Sequence, residues 1–166
     1  MGPNRNKTIQ MFRILQDSIP FAAAFIRGSE SFPELSGTVS FFDLPEGTLV
    51  TASVKGLPVP AEPCGNTVFG FHIHEGTQCS GNAEDPFADA KGHFNPDNCP
   101  HPEHAGDLPP LFSNQGNAWY AVLTNRFTIN DILGRAVIVH SMADDFTTQP
   151  SGNSGQKIGC GIIQRV

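Results

Sequence analysis

Two neighbouring segments with apolar residues at every other position place the strongest constraint on the fold of this chain. The segments SGTVSFFDL (36–44) and TLVTASVKGL (48–57) alternate apolar and polar side chains, which is the pattern of strands with one face buried and the other in solvent. Pro45-Glu46-Gly47 separates them and is typical of a tight turn. The two segments therefore predict an antiparallel hairpin.

Further strand-like segments follow the same plan along the chain. They are PFAAAFIRG (20–28), TVFGFHIHE (67–75), NAWYAVLTNRFT (117–128), GRAVIVHS (134–141) and KIGCGIIQRV (157–166). Segments 76–116 and 142–155 are irregular, and loops of that length in a compact domain are usually functional or disordered. The 17 glycines and 14 prolines fit short strands joined by turns. We predict an all-β fold, an antiparallel sandwich or barrel of about eight strands with two long functional loops.

The length of 166 residues fits one domain, which we place at 21–166. Residues 1–20 carry a short apolar pattern, and we interpret them as an N-terminal arm. They contain no continuous apolar stretch of the kind found in signal peptides, and no apolar run in the chain is long enough to span a bilayer. The sequence thus indicates a cytoplasmic protein, or a secreted or periplasmic one if the N-terminus has been processed.

The net charge of −6 argues against nucleic acid or an anionic membrane surface as the main partner. A modest acidic balance of this size is explained by solubility alone. An anionic substrate would need a local positive field.

The six histidines are concentrated in three places. His72 and His74 lie in FHIH, His93, His101 and His104 lie in HFNPDNCPHPEHAGD (93–107), and His140 ends AVIVH. Residues two apart on a strand point to the same side, so the first pair projects side by side. Prolines in the second segment restrict its backbone and lower the entropy lost on ordering ligands. The pattern favours a metal site over scattered polar histidines.

These histidines and Asp107 make seven candidate ligands. Two separate four-coordinate sites need eight, so seven suffice if one imidazole binds both ions through its two nitrogens. The spacing permits this bridge without demonstrating it. Three histidines with one carboxylate suit Zn²⁺, and an all-imidazole set suits Cu(II), which binds most tightly in the divalent series.

Five motifs then occur in a fixed order between residues 70 and 163. They are GFHIHEGTQCS (70–80), GHFNP (92–96), HAGDLP (104–109), VIVHSMADD (137–145) and SGNSGQKIGCGII (151–163). As a set, they resemble the copper–zinc superoxide dismutase family. The resemblance implies an eight-stranded Greek-key barrel with both metals between two long loops. It also implies an oxidoreductase that converts two superoxide anions and two protons to dioxygen and hydrogen peroxide, with copper cycling between Cu(II) and Cu(I) and zinc structural.

The resemblance also implies a role for individual residues. It implies copper on His72, His74, His93 and His140, and zinc on His93, His101, His104 and Asp107. His93 is then the bridging ligand and a catalytic proton carrier. Asp144 matches a carboxylate that links a copper histidine to a zinc histidine, as the outer partners of metal-bound imidazoles do.

One departure from the family is Lys157, which aligns with the active-site arginine that guides the anion. Lysine keeps the charge and loses the bidentate fork, so we expect steering to survive with weaker orientation of the anion. The segment between Asp145 and Gly155 is also short for the family's second loop.

The four cysteines allow three full pairings. The resemblance implies a disulfide between Cys79 and Cys160. Cys64 and Cys99 lie outside the family pattern, and a second bridge and two ordinary thiols both stay open for them.

Two other functions compete with the dismutase interpretation. One is a copper-binding protein of the same fold without enzymatic activity, which the loss of a copper ligand would favour. The other is a zinc-only hydrolytic site with an open position for water, which the closed zinc set disfavours. All four copper positions are histidine, so we favour the dismutase. Its expected partner is superoxide, and a homodimer is one of the assemblies the sequence allows.

Overall fold

A curled antiparallel sheet dominates the fold. The structure is a computed structural model that describes residues 18–166, so the predicted arm lies outside the described residues except for its last three. The strands are β1 (Ala22–Gly28), β2 (Ser36–Leu44), β3 (Gly47–Lys55), β4 (Val68–Phe69), β5 (Phe71–His74), β6 (Leu111–Phe112), β7 (Asn117–Thr124), β8 (Ala136–His140) and β9 (Lys157–Arg165). The helices are a 3₁₀ turn at Ala88–Ala90 and the short α1 at Ile129–Ile132. No helix within residues 18–166 is long and apolar enough to cross a membrane.

Seven strands form one sheet in the order β5-β8-β9-β1-β2-β3-β7, and β4 pairs with β6 in a separate two-stranded sheet. All of these pairs are antiparallel. The predicted antiparallel all-β fold is therefore confirmed, as a half-barrel formed by the curled sheet. The hairpin of β2 and β3 runs without interruption from Ser36 opposite Lys55 to Leu44 opposite Gly47, as the alternation predicts.

The described residues contain nine strands, where about eight were expected, because the predicted strand 67–75 is divided at Gly70 and a short strand pairs with its first part. Gly70 donates from its N–H to the carbonyl of Met142 at 2.7 Å and accepts from His140 N at 2.8 Å. A side chain at this position would collide with Ser154. The N–H of Gly70 is hydrogen-bonded to the second long loop, so it cannot pair with a neighbouring strand and the predicted strand is interrupted at this residue.

The hydrophobic core fills the inner side of the curled sheet. Phe71 and Ile73 are fully buried there, as expected from their alternation with His72 and His74. The two histidines point to the opposite side and are also buried, because the long loops cover that side of β5. The sheet thus provides a rigid floor under the histidines.

One disulfide joins Cys79 to Cys160, 81 residues later, with Cα atoms 5.6 Å apart. It ties the loop after β5 to strand β9, as the resemblance implies. Cys64 and Cys99 are free thiols in the structure, so the second bridge is not formed.

Candidate metal centre

Four histidines converge in a first cluster, His72, His74, His93 and His140. The first two lie on β5 and the fourth ends β8, which pairs with β5. The register between β8 and β9 shifts at Val139/His140, and such irregularities re-aim side chains at functional sites. His93 reaches the cluster from the loop, where a single bridge pairs it with His74.

A second cluster brings together His93, His101, His104 and Asp107. In each cluster the nitrogen or oxygen atoms that could bind an ion all lie within 4.8 Å of one another. All seven side chains predicted as ligands therefore meet in two groups of four, and His93 belongs to both.

Each imidazole ring has two nitrogens. In the first cluster, a hydrogen bond to one nitrogen shows that the other one is available to bind an ion. His74 donates from Nδ1 to the carbonyl of Lys91 at 2.8 Å, and its Nε2 lies 3.2 Å from His140 Nε2. Two nitrogens bound tetrahedrally to one ion at about 2.0–2.1 Å are about 3.3 Å apart. His72 uses Nε2 for Asp144, and its buried Nδ1 has no hydrogen-bond partner among the described residues.

His93 extends from one cluster to the other. Its Nδ1 lies 2.7 Å from Asp107 Oδ1 and 3.4 Å from His104 Nδ1, both in the second cluster. Its Nε2 is buried without a hydrogen-bond partner in the described part of the chain. One ring therefore presents one nitrogen to each group, which is the geometry of a bridging imidazolate.

Three buried ring nitrogens without hydrogen-bond partners within residues 18–166 indicate whether metal ions fit these sites. A buried polar atom without a partner costs free energy, yet three such ring nitrogens occur here among the described residues: His72 Nδ1, His93 Nε2 and His101 Nδ1. His101 Nδ1 lies 3.0 Å from Asp107 Oδ2 but lacks hydrogen-bond geometry. Lone pairs directed into the two clusters explain these atoms: His72 Nδ1 and His93 Nε2 face the first cluster, and His101 Nδ1 faces the second. The residues present therefore fit two ions.

Asp144 connects the two clusters through a single carboxylate. Its Oδ2 accepts from His72 Nε2 at 2.6 Å, and its Oδ1 accepts from His101 Nε2 at 2.9 Å. Oδ1 also accepts from the Phe146 N–H at 2.7 Å. Burial opposes ionisation of this carboxyl group, but these hydrogen bonds outweigh it and lower the pKa of Asp144. The carboxylate of Asp144 thus links one histidine of the first cluster to one of the second.

Burial keeps three histidines of the first cluster neutral, which is the form that binds metal. Burial is the main cause that lowers the pKa of His140 from 6.5 to about 3, and it also lowers the pKa of His72 and His74. Burial raises the pKa of Asp107, but the hydrogen bond from His93 and the neighbouring histidines outweigh it and lower the pKa overall. At neutral pH these three histidines can bind an ion without losing protons from imidazolium.

These shifts predict that acid destabilises the metal-free protein. In the unfolded chain a histidine binds a proton near pH 6.5, whereas the folded pKa of His140 is about 3, so the unfolded state binds more protons between these values. The contribution of neutral His140 to the free energy of unfolding is complete above pH 6.5 and is lost as the pH falls toward 3. Thermal unfolding with a chelator present should show a midpoint several degrees lower at pH 5 than at pH 7.5, and metal-free His140→Gln should lose less over that range. If the unfolding midpoint of His140→Gln fell by as much as that of the wild type, His140 would not be the cause of the pH dependence.

Lys157 lies at the start of β9 beside the first cluster. Together with His74, His93 and His140 it lines a cavity of about 620 Å³ that opens to solvent. Its Nζ donates to Asp85 Oδ2 at 2.6 Å and to the carbonyl of Phe87 at 3.2 Å. The structure therefore places the predicted cation next to the candidate copper ligands, already paired with a carboxylate.

Sequence reasoning missed two side chains that hold the loop segment 101–103, which carries His101. Gln149 donates from Nε2 to the carbonyl of His101 at 2.7 Å and accepts from His101 N at 2.9 Å. Arg126 donates to the carbonyl of Pro102 at 2.9 Å and forms a 3.0 Å ion pair with Glu103. Neither contact has a local sequence signal, because the partners are 48 and about 24 residues apart.

Replacing Gln149 with alanine should weaken zinc binding about tenfold, because the main chain of His101 loses both of its partners in the second loop. Competition with a chromogenic zinc chelator measures the affinity. Gln115→Ala, which changes an exposed glutamine in a turn, is the matched control. An unchanged affinity in Gln149→Ala would show that the loop holds His101 without this side chain.

Comparison with known proteins agrees with this geometry. The family model described as copper/zinc superoxide dismutase matches residues 35–163. The chain belongs to the copper/zinc superoxide dismutase family. Among its relatives, superoxide dismutase [Cu-Zn] 2 of Aquifex aeolicus is 36% identical over 146 residues, covering 79% of this chain and 80% of the relative. Superoxide dismutase [Cu-Zn] of Deinococcus radiodurans is 33% identical over 151 residues, covering 80% and 79%.

Solved structures of the family share the fold. Cu/Zn superoxide dismutase from Brucella abortus superposes with a TM-score of 0.70 at 26% identity, over 85% of this chain and 98% of that one. Family membership and the two clusters together give the function: this member of the copper/zinc superoxide dismutase family is an oxidoreductase with a copper site and a zinc site.

Proposed function

We propose that the first cluster holds copper and the second holds zinc. His72, His74, His140 and Nε2 of His93 hold copper, and Nδ1 of His93 holds zinc together with His101, His104 and Asp107. The observation that carries this proposal is the double membership of His93, with one ring nitrogen in each cluster. When bound, copper supplies one-electron redox chemistry by alternating between Cu(II) and Cu(I).

His93 is the residue that we propose to move protons during the reaction. Its Nε2 is buried, and the side chain lines the solvent-open cavity. Its Nδ1 lies within the second cluster, 2.7 Å from Asp107 Oδ1, so zinc bound there would keep the ring oriented while Nε2 takes up and releases a proton. Peroxide formation consumes two protons, and a proton held at this atom is delivered inside the cavity.

A direct test of this function is the decay of superoxide in stopped-flow measurements on two forms of the protein. Protein loaded with copper and zinc should accelerate the decay catalytically, whereas protein loaded with zinc alone should not. A zinc-only form that retained full activity would contradict the proposal.

Lys157 is proposed to attract the substrate anion, because its ammonium lines the cavity of a protein whose net charge is −6. Long-range attraction of this kind is screened by salt. The rate constant should therefore fall as ionic strength rises, and Lys157→Gln should lower it about threefold to tenfold at low salt and flatten the dependence. Lys55→Gln is the control, since Lys55 lies on β3 and does not line the metal cavity. A rate that rises with salt in the wild-type protein would contradict steering.

Assembly and location are two further proposals. A homodimer stays a prediction, and the exposed Phe25, Phe112 and Trp119 provide an apolar surface that a second copy could cover. Light scattering during size-exclusion chromatography distinguishes one chain from two. The cytoplasmic location also stays a prediction.

A further inference from the structure

The cation proposed to attract superoxide is not free in the resting structure. Lys157 donates both of its hydrogen bonds to the loop that follows β5, to Asp85 Oδ2 at 2.6 Å and to Phe87 O at 3.2 Å. The lysine side chain is 15% exposed and the aspartate 40% exposed. The ammonium therefore rests against one wall of the cavity, in a salt bridge at its edge.

Asp85 is fixed in place independently of the lysine. Its Oδ1 accepts from the Phe87 N–H at 3.0 Å. Its own N–H donates to Asn82 Oδ1 at 3.0 Å, and its carbonyl accepts from Asn82 N at 2.9 Å. The disulfide to Cys160 ties the loop to β9, the strand that carries Lys157. The carboxylate consequently stays at the cavity wall and cannot follow the ammonium toward an incoming anion.

This pairing changes the field that an anion meets. A cation alone attracts as a single charge, whereas a cation 2.6 Å from a carboxylate attracts approximately as a dipole, whose field falls off faster with distance. The same cavity is lined by Lys91 and Glu84, so its four formal lysine and carboxylate charges cancel. An anion gains the full charge of Lys157 only when the ammonium leaves Asp85.

We propose that Asp85 is a positioning residue that holds Lys157 against the loop and so weakens the attraction of small anions to the copper site. This inference rests on the role proposed above for Lys157. It predicts that anion affinity in this chain is limited by a carboxylate and can be raised by removing its charge. Asparagine at position 85 still accepts the hydrogen bond from Phe87 N, so the loop keeps its conformation.

The test measures azide binding to the copper- and zinc-loaded protein from the change in the copper absorption spectrum, a readout separate from catalysis. Asp85→Asn should tighten azide binding about threefold. Glu84→Gln is the matched control, because it removes the same charge from the same cavity but, among the described residues, Glu84 forms no ion pair with Lys157. Unchanged or weaker azide binding in Asp85→Asn overturns the proposal, and so does an equal gain in Glu84→Gln.

A double-mutant cycle then asks whether Asp85 acts through the lysine. In a Lys157→Gln background, Asp85→Asn should have a clearly smaller effect on azide binding, and an undiminished effect overturns the proposal. Failure here is distinguishable from failure of the proposed function. A wild-type protein that dismutates superoxide but shows no response to Asp85→Asn refutes only the role of Asp85, whereas a protein without copper-dependent activity refutes the function itself.

Discussion

Replacing His140 with alanine should lower copper-dependent dismutation at least about 100-fold while zinc binding persists. His140 belongs to the first cluster alone, and its Nε2 faces His74 Nε2 at 3.2 Å. Its loss leaves three imidazoles for copper and all four ligands for zinc. Metal analysis after dialysis and the superoxide decay rate, measured on the same sample, check both parts.

His104→Ala is the matched control, because it removes one histidine from the second cluster and leaves the first complete. It should lose zinc before it loses copper. If His140→Ala instead lost zinc and kept copper-dependent activity, the assignment of the two clusters would be reversed.

Replacing Asp144 with alanine should weaken the binding of both metals, by about 10- to 100-fold for the more affected ion. The carboxylate accepts from His72 in one cluster and from His101 in the other. Without it, two buried ring nitrogens lose their partner and both rings lose their orientation. Chelator competition gives the two affinities, and thermal unfolding of the metal-free protein should show a lower midpoint.

Asp145→Ala separates this effect from a general loosening of the loop. Asp145 is the next residue, and its carboxylate accepts from Thr147 and Thr148 within the same loop but contacts no histidine. Its replacement should change loop stability with little effect on metal affinity. Similar losses of affinity in both variants would show that loop folding, and not the link between the clusters, determines binding.

The rigid half of the site was predictable from sequence because it depends on periodicity. Alternation along β5 puts Phe71 and Ile73 in the core and His72 and His74 on the opposite side. Six of the seven ligands could be found because they exhaust the histidines, Asp107 was added because it lies three residues after His104, and the resemblance divided the seven between two ions. The structure added the nitrogen of each ring that faces its site.

The contacts that hold the loops were not predictable in the same way. Asp85 meets Lys157 across 72 residues, and Gln149 meets His101 across 48. No period or local motif marks such pairs, since two irregular segments that pack on each other bring them together. The division of the strand at Gly70 has the same origin, because its cause is Ser154 and Met142 in a distant loop.

The most direct test of the central claim is to ask whether His93 joins the two ions. Protein loaded with Cu(II) in both sites is suited to this test, because copper binds nitrogen ligands at least as tightly as zinc, and two Cu(II) ions joined by one imidazolate couple magnetically. We predict an electron paramagnetic resonance signal far weaker than that of two isolated Cu(II) ions, with the isolated signal recovered in His93→Ala wherever copper still binds. A wild-type spectrum with the full intensity of two independent ions would contradict it.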